Sequence, residues 1–375
     1  MRYIIGDKWL RIKGYWFMVI GLMLIAGCSS DSTGTEEQRT GSLLQVTAYT
    51  ANYQEKSPSM RTVSAGYSEY RPDHDLAIGL LVLPLDHTSG LPTEFPSAKL
   101  VRFSAGDWHS QVTVDGDTDY KIFGYMPKNN SISSEMSQSG NDYQLILSGI
   151  DAVIADDVCF VTGVKDGTKE GAGDLLQGKF DYKGKSEDNH VCLLMDHLYA
   201  ALRIQFKVDP DYSALRTIKL KSMTLKTEKA TVNAIITLTP NNAGADPVKS
   251  ITFEPTGSTA SATFFESSTG VQLNNFVDDE TGTAEEKAAA AREEILSAFC
   301  CFAPGVLGLS DALTLECTYD LYDRHGNKVC ERTTPNALHL SAARGQFVTL
   351  NLTIAPTYLG QLSDQDLDNP TFTVN

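Results

Sequence analysis

Positive charge is scarce in this sequence: 31 Lys and Arg stand against 47 Asp and Glu, a formal net charge of −16. A chain this acidic has no electrostatic footprint for nucleic acid. No Lys/Arg-rich run offers a surface for anionic lipid or another polyanion. Tryptophan is also sparse. Trp9 and Trp16 sit near the N-terminus, which leaves Trp108 for the rest of the chain. That is a thin basis for a platform that stacks sugars, and Trp108 reads more simply as a packing residue. No apolar run is long enough to span a bilayer as a helix, which takes about 20 residues.

Catalytic signatures are missing too. The seven histidines are scattered, and none forms HExxH or a short-spaced pair. No GxSxG elbow is present. His197, within MDHLYAALRI, reads as a packing residue at a strand start. Gly178 and Gly184-Lys185-Ser186 superficially resemble a phosphate loop, but the spacing is one residue too long and no βα context surrounds it. Asp115, Asp117 and Asp119 match the first calcium-loop positions. Tyr120 then stands where Gly is required, and Met126 where the last Glu is required. Asp364, Asp366 and Asp368 fail likewise, with Asn369 at the Gly position. Both triplets read as solvated turns. The many carboxylates single out no glycosidase pair. The expectation is a chain with no catalytic residue, no metal ligand set and no cofactor.

Cysteine is limited to seven residues. Cys159, Cys192 and Cys317 lie in apolar, strand-like runs and read as buried thiols. Cys300 and Cys301 are adjacent, which is poor geometry for a mutual bridge. A Cys317–Cys330 hairpin bridge stays open, and no pair has zinc-finger spacing.

What is present begins at the N-terminus. Arg2, Lys8, Arg11 and Lys13 precede the apolar run Trp16–Ile25, and Ala26-Gly27-Cys28 follows. A positive head, a short apolar run and small residues before a cut describe an export signal. The tetrad Ile25-Ala26-Gly27-Cys28 resembles a lipobox. That resemblance implies cleavage between Gly27 and Cys28 and a lipid on the Cys28 sulfur, which holds the chain at the outer membrane. Loss of residues 1–27 takes the net charge from −16 to −19. Residues 28–41 are polar and Gly/Ser/Thr-rich, as a flexible tether is.

The remaining ~330 residues suggest two domains, each with a usable core. They read as β almost throughout. Leu44, Val46 and Ala48 alternate in Ser42–Thr50. Ala77–Leu83 is a continuous apolar run, and Asp119–Tyr125 and Tyr143–Leu147 follow. Leu202, Ile204, Phe206 and Val208 alternate with Arg203, Gln205 and Lys207, as in a half-buried strand. In Ile218–Lys226 the apolar register slips near Lys221-Ser222, which predicts a bulge. Val348, Leu350, Leu352 and Ile354 alternate again. One helix is predicted over Ala284–Phe299, from a capping box at Thr283-Ala284-Glu285-Glu286 and an Ala/Glu-rich run. Short strands between Gly, Pro, Asn and Asp turns predict an all-β chain of two tandem β-sandwich domains with one decorating helix. The polar stretch Lys183–Asn189 puts the boundary between residues 42–189 and 190–375.

Three stretches together resemble the fimbrillin family, the subunits and adhesin-like relatives of type V pili. They are Asp119–Pro127 (DYKIFGYMP), Asp196–Asp211 (DHLYAALRIQFKVDPD) and Phe347–Asn375. The resemblance implies transthyretin-like sandwiches and assembly with other fimbrial subunits by β-strand addition. It also implies that an Arg-specific, trypsin-like protease cuts beyond the first strand, which then leaves its groove. Here that scheme points to a displaced strand carrying Leu44, Val46 and Ala48, and to a cut between Arg61 and Thr62. Arg39 precedes the strand, and Arg71 is followed by Pro72. The tail offers Phe372 and Val374 as a short donor strand, although a strand closing its own domain reads equally well. The expected role is non-catalytic, structural and adhesive, at a cell-surface fimbrium, with host or bacterial surface ligands as further partners. The alternative is a surface lipoprotein that binds glycans for nutrient capture.

Overall fold

The computed structural model describes residues 41–55, 66–168, 177–228, 230–241, 244–257, 259–274, 283, 294–304, 313–338, 340, 342–356 and 367–374. Gly27, Cys28, Arg39, Arg61 and Thr62 lie outside these residues. Among the described residues the chain is all-β, and its helical residues are the turn Pro210–Ser213 and Leu367.

Two pairs of sheets each enclose an apolar core. The first pair sets a nine-stranded sheet against a four-stranded one. The nine-stranded sheet runs in the order Tyr67–Glu69, Gln45–Ala51, His190–His197, Cys159–Asp166, Asp119–Met126, Leu76–Pro84, Lys99–Ser104 and Asp107–Ser110, with Asp181–Lys183 also on Asp119–Met126. Its partner runs Ser133–Ser139, Asp142–Asp151, Thr231–Leu238 and Val248–Thr256. Ile78, Leu80 and Ile122 meet Leu145, Leu147, Ala234 and Ile236 in the first core. This is the sheet-on-sheet packing that alternating strands produce.

The second pair sets a six-stranded sheet against Ala260–Gln272, Thr217–Thr227, Leu313–Tyr322 and Lys328–Leu338. The six-stranded sheet runs Val153–Ile154, Glu294–Phe302, Ala200–Val208, Gln346–Ala355 and Thr371–Val374, with Gln54–Glu55 also on Gln346–Ala355. The alternation in the sequence is what this core uses. Leu202, Ile204, Phe206 and Val208 are buried, as are Leu350, Leu352 and Ile354. The register slips between Leu220 and Ser222 against both neighbouring strands, where the apolar pattern predicts a bulge.

The helix expected over Ala284–Phe299 is corrected where it is described. Glu294–Phe302 is a strand that pairs antiparallel with Ala200–Val208, Leu296 opposite Ile204 and Ile295 opposite Gln205. Helix propensity is a weak local preference, and a long-range ladder overrides it. Residues 284–293 lie outside the described residues.

The chain moves between the cores more than once. Lys183–Asn189 connects two strands of the nine-stranded sheet, and the passage to the second core falls between His197 and Ala200. The hairpin Thr231–Thr256 then returns to the first core through Val232, Ala234, Ile236 and Leu238.

The described cysteines are free thiols; all are buried except Cys330, which is half-buried. Cys317 pairs with Thr334, and Cys330 with Leu321, so the hairpin holds the two apart on different rungs. That register rules out the bridge left open by the sequence.

Candidate functional site

The described chain opens with a segment that crosses both cores. Leu44, Val46 and Ala48 point inward by the two-residue period of a strand and are fully or almost fully buried. Each fully buried aliphatic side chain contributes about 1.5–3 kcal/mol. Strand Gln45–Ala51 lies parallel to His190–His197, with Gln45 opposite His190 and Thr50 opposite Met195. Thr47 Oγ1 lies 2.9 Å from His190 Nε2 across that ladder. On its other side comes Tyr67–Glu69, three residues long and at the end of the sheet. Gln45–Ala51 is therefore an almost outermost strand that nevertheless fills a core.

The same segment then joins the second core. Gln54–Glu55 pairs parallel with Gln346–Phe347, and the Gln54 amide donates to the Gly345 carbonyl at 2.9 Å. Ala200–Val208 fills one edge of Gln346–Ala355. The other edge carries Gln54–Glu55 at its start and Thr371–Val374 at its end. The first described segment and the terminal strand thus share one edge of one strand. Phe372 is buried, with its ring 5.1 Å from that of Tyr319, and Val374 pairs with Leu352. In this structure the terminal strand closes its own sheet.

Between the two ladders sits a buried polar cluster. The Tyr53 ring stacks on His197 at 3.6 Å and 16°. Its hydroxyl donates to Asp157 Oδ1 at 2.7 Å and lies 3.3 Å from Cys301 Sγ. His197 Nε2 donates to the Ala51 carbonyl at 2.5 Å, and Nδ1 faces Asp157 at 3.0 Å and Cys159 Sγ at 3.4 Å. Burial pushes the Cys159 and Cys301 thiols well above the usual thiol range, and the charge of Asp157 adds to both shifts. Burial likewise raises the Tyr53 phenol, with Cys301 and then Asp157 reinforcing it.

Asp196 is the next residue along and faces the other way. It accepts from the Tyr67 hydroxyl, from Gln177 Nε2 at 3.0 Å and from Thr162 Oγ1 at 3.3 Å. Arg344 Nη1 lies 3.5 Å away. Tyr67 therefore ties the outermost strand to the same strand end that His197 ties to the first segment. Burial, and then the Asp196 carboxylate, hold the Tyr67 phenol well above its ordinary value.

A cavity of about 800 Å³ opens over the His197 cluster, lined in part by Tyr53, Tyr70, His74, Asp156, Asp157 and His197. At its rim His74 bridges Asp73 at 2.7 Å and Asp156 at 3.0 Å. Among the described residues, Asp157, Cys159 and His197 are the group whose ligand atoms could hold a metal; these lie within 4.8 Å of one another. The reading of His197 as a packing residue is corrected here. It is buried, but it ends its strand and works through both ring nitrogens. Nothing in the sequence announces this group. Cys159 and His197 lie 38 residues apart and meet because the antiparallel register places them opposite each other.

Trp108 is used in packing. Its ring lies edge-on to Phe103 at 5.1 Å, and Nε1 donates to the Tyr70 carbonyl at 3.3 Å.

No family model matches the chain. No match is found among curated proteins. Among solved structures it is similar to a "putative cell adhesion protein" from Bacteroides ovatus at 10% identity and a TM-score of 0.37, over 89% of this chain and 96% of that one. A protein of the same description from Bacteroides fragilis gives 11% and 0.37, over 89% and 97%. The fimbrial anchor protein Mfa2 from Porphyromonas gingivalis gives 10% and 0.24, over 88% and 95%. These neighbours are adhesion and fimbrial proteins; at TM-scores below 0.5 the likeness decides neither the fold nor the function of this chain.

Proposed function

We propose that this protein is a non-catalytic structural and adhesive subunit of a cell-surface fimbrium. It is exported as a lipoprotein through Cys28 and assembled by strand exchange after a cut between Arg61 and Thr62. The observation that carries this reading is the placement of segment 42–55. It fills the first core through Leu44, Val46 and Ala48, yet one three-residue strand lies between it and the end of its sheet. A strand so placed can leave without unthreading the fold. Its departure would uncover unpaired N–H and C=O groups beside an apolar groove, and an incoming strand satisfies both. Arg61 falls in the connection after Gln54–Glu55 and before Tyr67–Glu69, so a cut there detaches the segment from the rest of the chain. The terminal strand with Phe372 and Val374 supplies the donor from a neighbouring copy. The glycan-binding alternative loses its best platform, because Trp108 is engaged in packing.

Limited digestion with a trypsin-like protease tests the proposal. Cleavage at Arg61 should release residues up to 61 and yield a ladder of strand-linked multimers that survives mild detergent. Arg61→Ala should stay monomeric under the same treatment. Cleavage at Arg61 with no multimers, or an identical ladder from Arg61→Ala, would overturn it.

A further inference from the structure

We infer that Asp157, Cys159 and His197 form a buried binding site for a zinc-class divalent cation. The inference stands apart from strand exchange and would hold for a chain that never polymerises.

The first argument is distance. Zinc bonds of about 2.0–2.3 Å around a tetrahedral centre put nitrogen and oxygen ligands about 3.3 Å apart, and nitrogen and sulfur about 3.6 Å apart. His197 Nδ1 lies 3.0 Å from Asp157 Oδ1 and 3.4 Å from Cys159 Sγ. Those two edges are within a few tenths of an ångström of such a tetrahedron, and all three ligand atoms lie within 4.8 Å of one another.

The second argument is the tautomer. A carbonyl oxygen only accepts, so the Ala51 contact requires the proton on His197 Nε2. In the neutral ring this leaves the Nδ1 lone pair aimed at Asp157 and Cys159. A histidine whose outer N–H is fixed by a backbone carbonyl is the usual arrangement of a metal-bound imidazole. Tyr53 holds two of the three groups, stacking on the His197 ring and donating to Asp157 Oδ1 at 2.7 Å.

The third argument is the donor set and its access. Thiolate, imidazole and carboxylate together suit zinc or cobalt better than magnesium or calcium, which take oxygen ligands. Asp157 and His197 line the 800 Å³ cavity, which gives the ion a route in, and Asp73 and Asp156 stand at its rim. Binding takes the Cys159 proton to solvent and leaves a thiolate on the metal. Water supplies the fourth position.

The test uses the full chain in detergent, with reduced thiols and bound metal removed by a chelator. Titration with Co²⁺ should produce a thiolate-to-cobalt charge-transfer band that saturates at one equivalent, and Zn²⁺ should abolish it. Cys159→Ser should lose the band, while Cys330→Ser keeps it. Tyr53→Phe should retain the band with affinity lowered about tenfold, the usual cost of removing an outer partner. The inference is overturned if the wild-type chain shows no such band at a large excess of Co²⁺. It is equally overturned if the band survives in Cys159→Ser. The wild-type titration decides the first point even if Cys159→Ser fails to fold.

Discussion

His197 Nε2 donates to the carbonyl of Ala51 at 2.5 Å. One bond thus joins the end of strand His190–His197 to the end of strand Gln45–Ala51, which lies parallel beside it. The first segment is held by this bond and by Tyr53, in addition to its ladder and its apolar face.

Removing the Tyr53 hydroxyl isolates one part of that hold. In Tyr53→Phe the ring still stacks on His197, but Asp157 loses a donor in a buried site. A buried hydrogen bond to a charged acceptor is worth about 1.5–3 kcal/mol. Urea denaturation in the presence of a chelator should show a loss of that size. Amide hydrogen exchange at residues 51–54 should accelerate by at least about tenfold. Unchanged exchange at those amides would show that Tyr53 does not hold the segment.

The apolar face of the segment gives a contrast between neighbours. Leu44 is fully buried and Leu43 is half-exposed. Leu44→Ala should cost about 2–5 kcal/mol through lost contacts and the cavity left behind. Leu43→Ala should stay within about 0.5 kcal/mol. Equal denaturation midpoints for the two variants would contradict the inward placement of Leu44.

The terminal strand should act as a cover. Deleting residues 371–375 exposes the Leu352–Ala355 edge, and an open edge recruits another chain. Light scattering should show concentration-dependent self-association of the truncated chain and none of the intact one. Phe372→Ala should destabilise by about 3 kcal/mol, since its ring packs on Tyr319 in the second core.

Alkaline pH should weaken the fold from about pH 10. Burial pushes Tyr49, Tyr143 and Tyr182 from 10.0 up to about 12. In that window the folded chain keeps phenolic protons that the unfolded chain loses, so stability falls as pH rises. The contribution is fully present below pH 10 and is lost as pH climbs through about 12. Denaturation midpoints measured from pH 8 to 12 should drop across that window. The tyrosinate absorbance of these three phenols should appear together with unfolding; early titration in the folded chain would contradict their burial.

Much of the fold is legible in short stretches of sequence. Leu202 to Val208 shows its buried face by alternation, and Ile218–Lys226 even shows its bulge. The same local reading fails at Glu294–Phe299, where helix-forming composition sits in a strand. It also fails at His197, whose neighbours Leu198 and Tyr199 make it look like one more packing residue. In both cases the deciding contact comes from far along the chain: Ala200–Val208 for the strand, Ala51 and Asp157 for the histidine.

Period-two alternation depends only on the backbone geometry of one strand, so composition and order along the chain were enough to mark the chain as β and to choose which side chains turn inward. Alternation does not name a partner. That Gln45–Ala51 lies parallel to His190–His197, that both described ends of the chain share one edge of Gln346–Ala355, and that Asp157, Cys159 and His197 converge are consequences of register between distant strands. Register is set by the packing of two whole cores at once, and no local window of residues contains it.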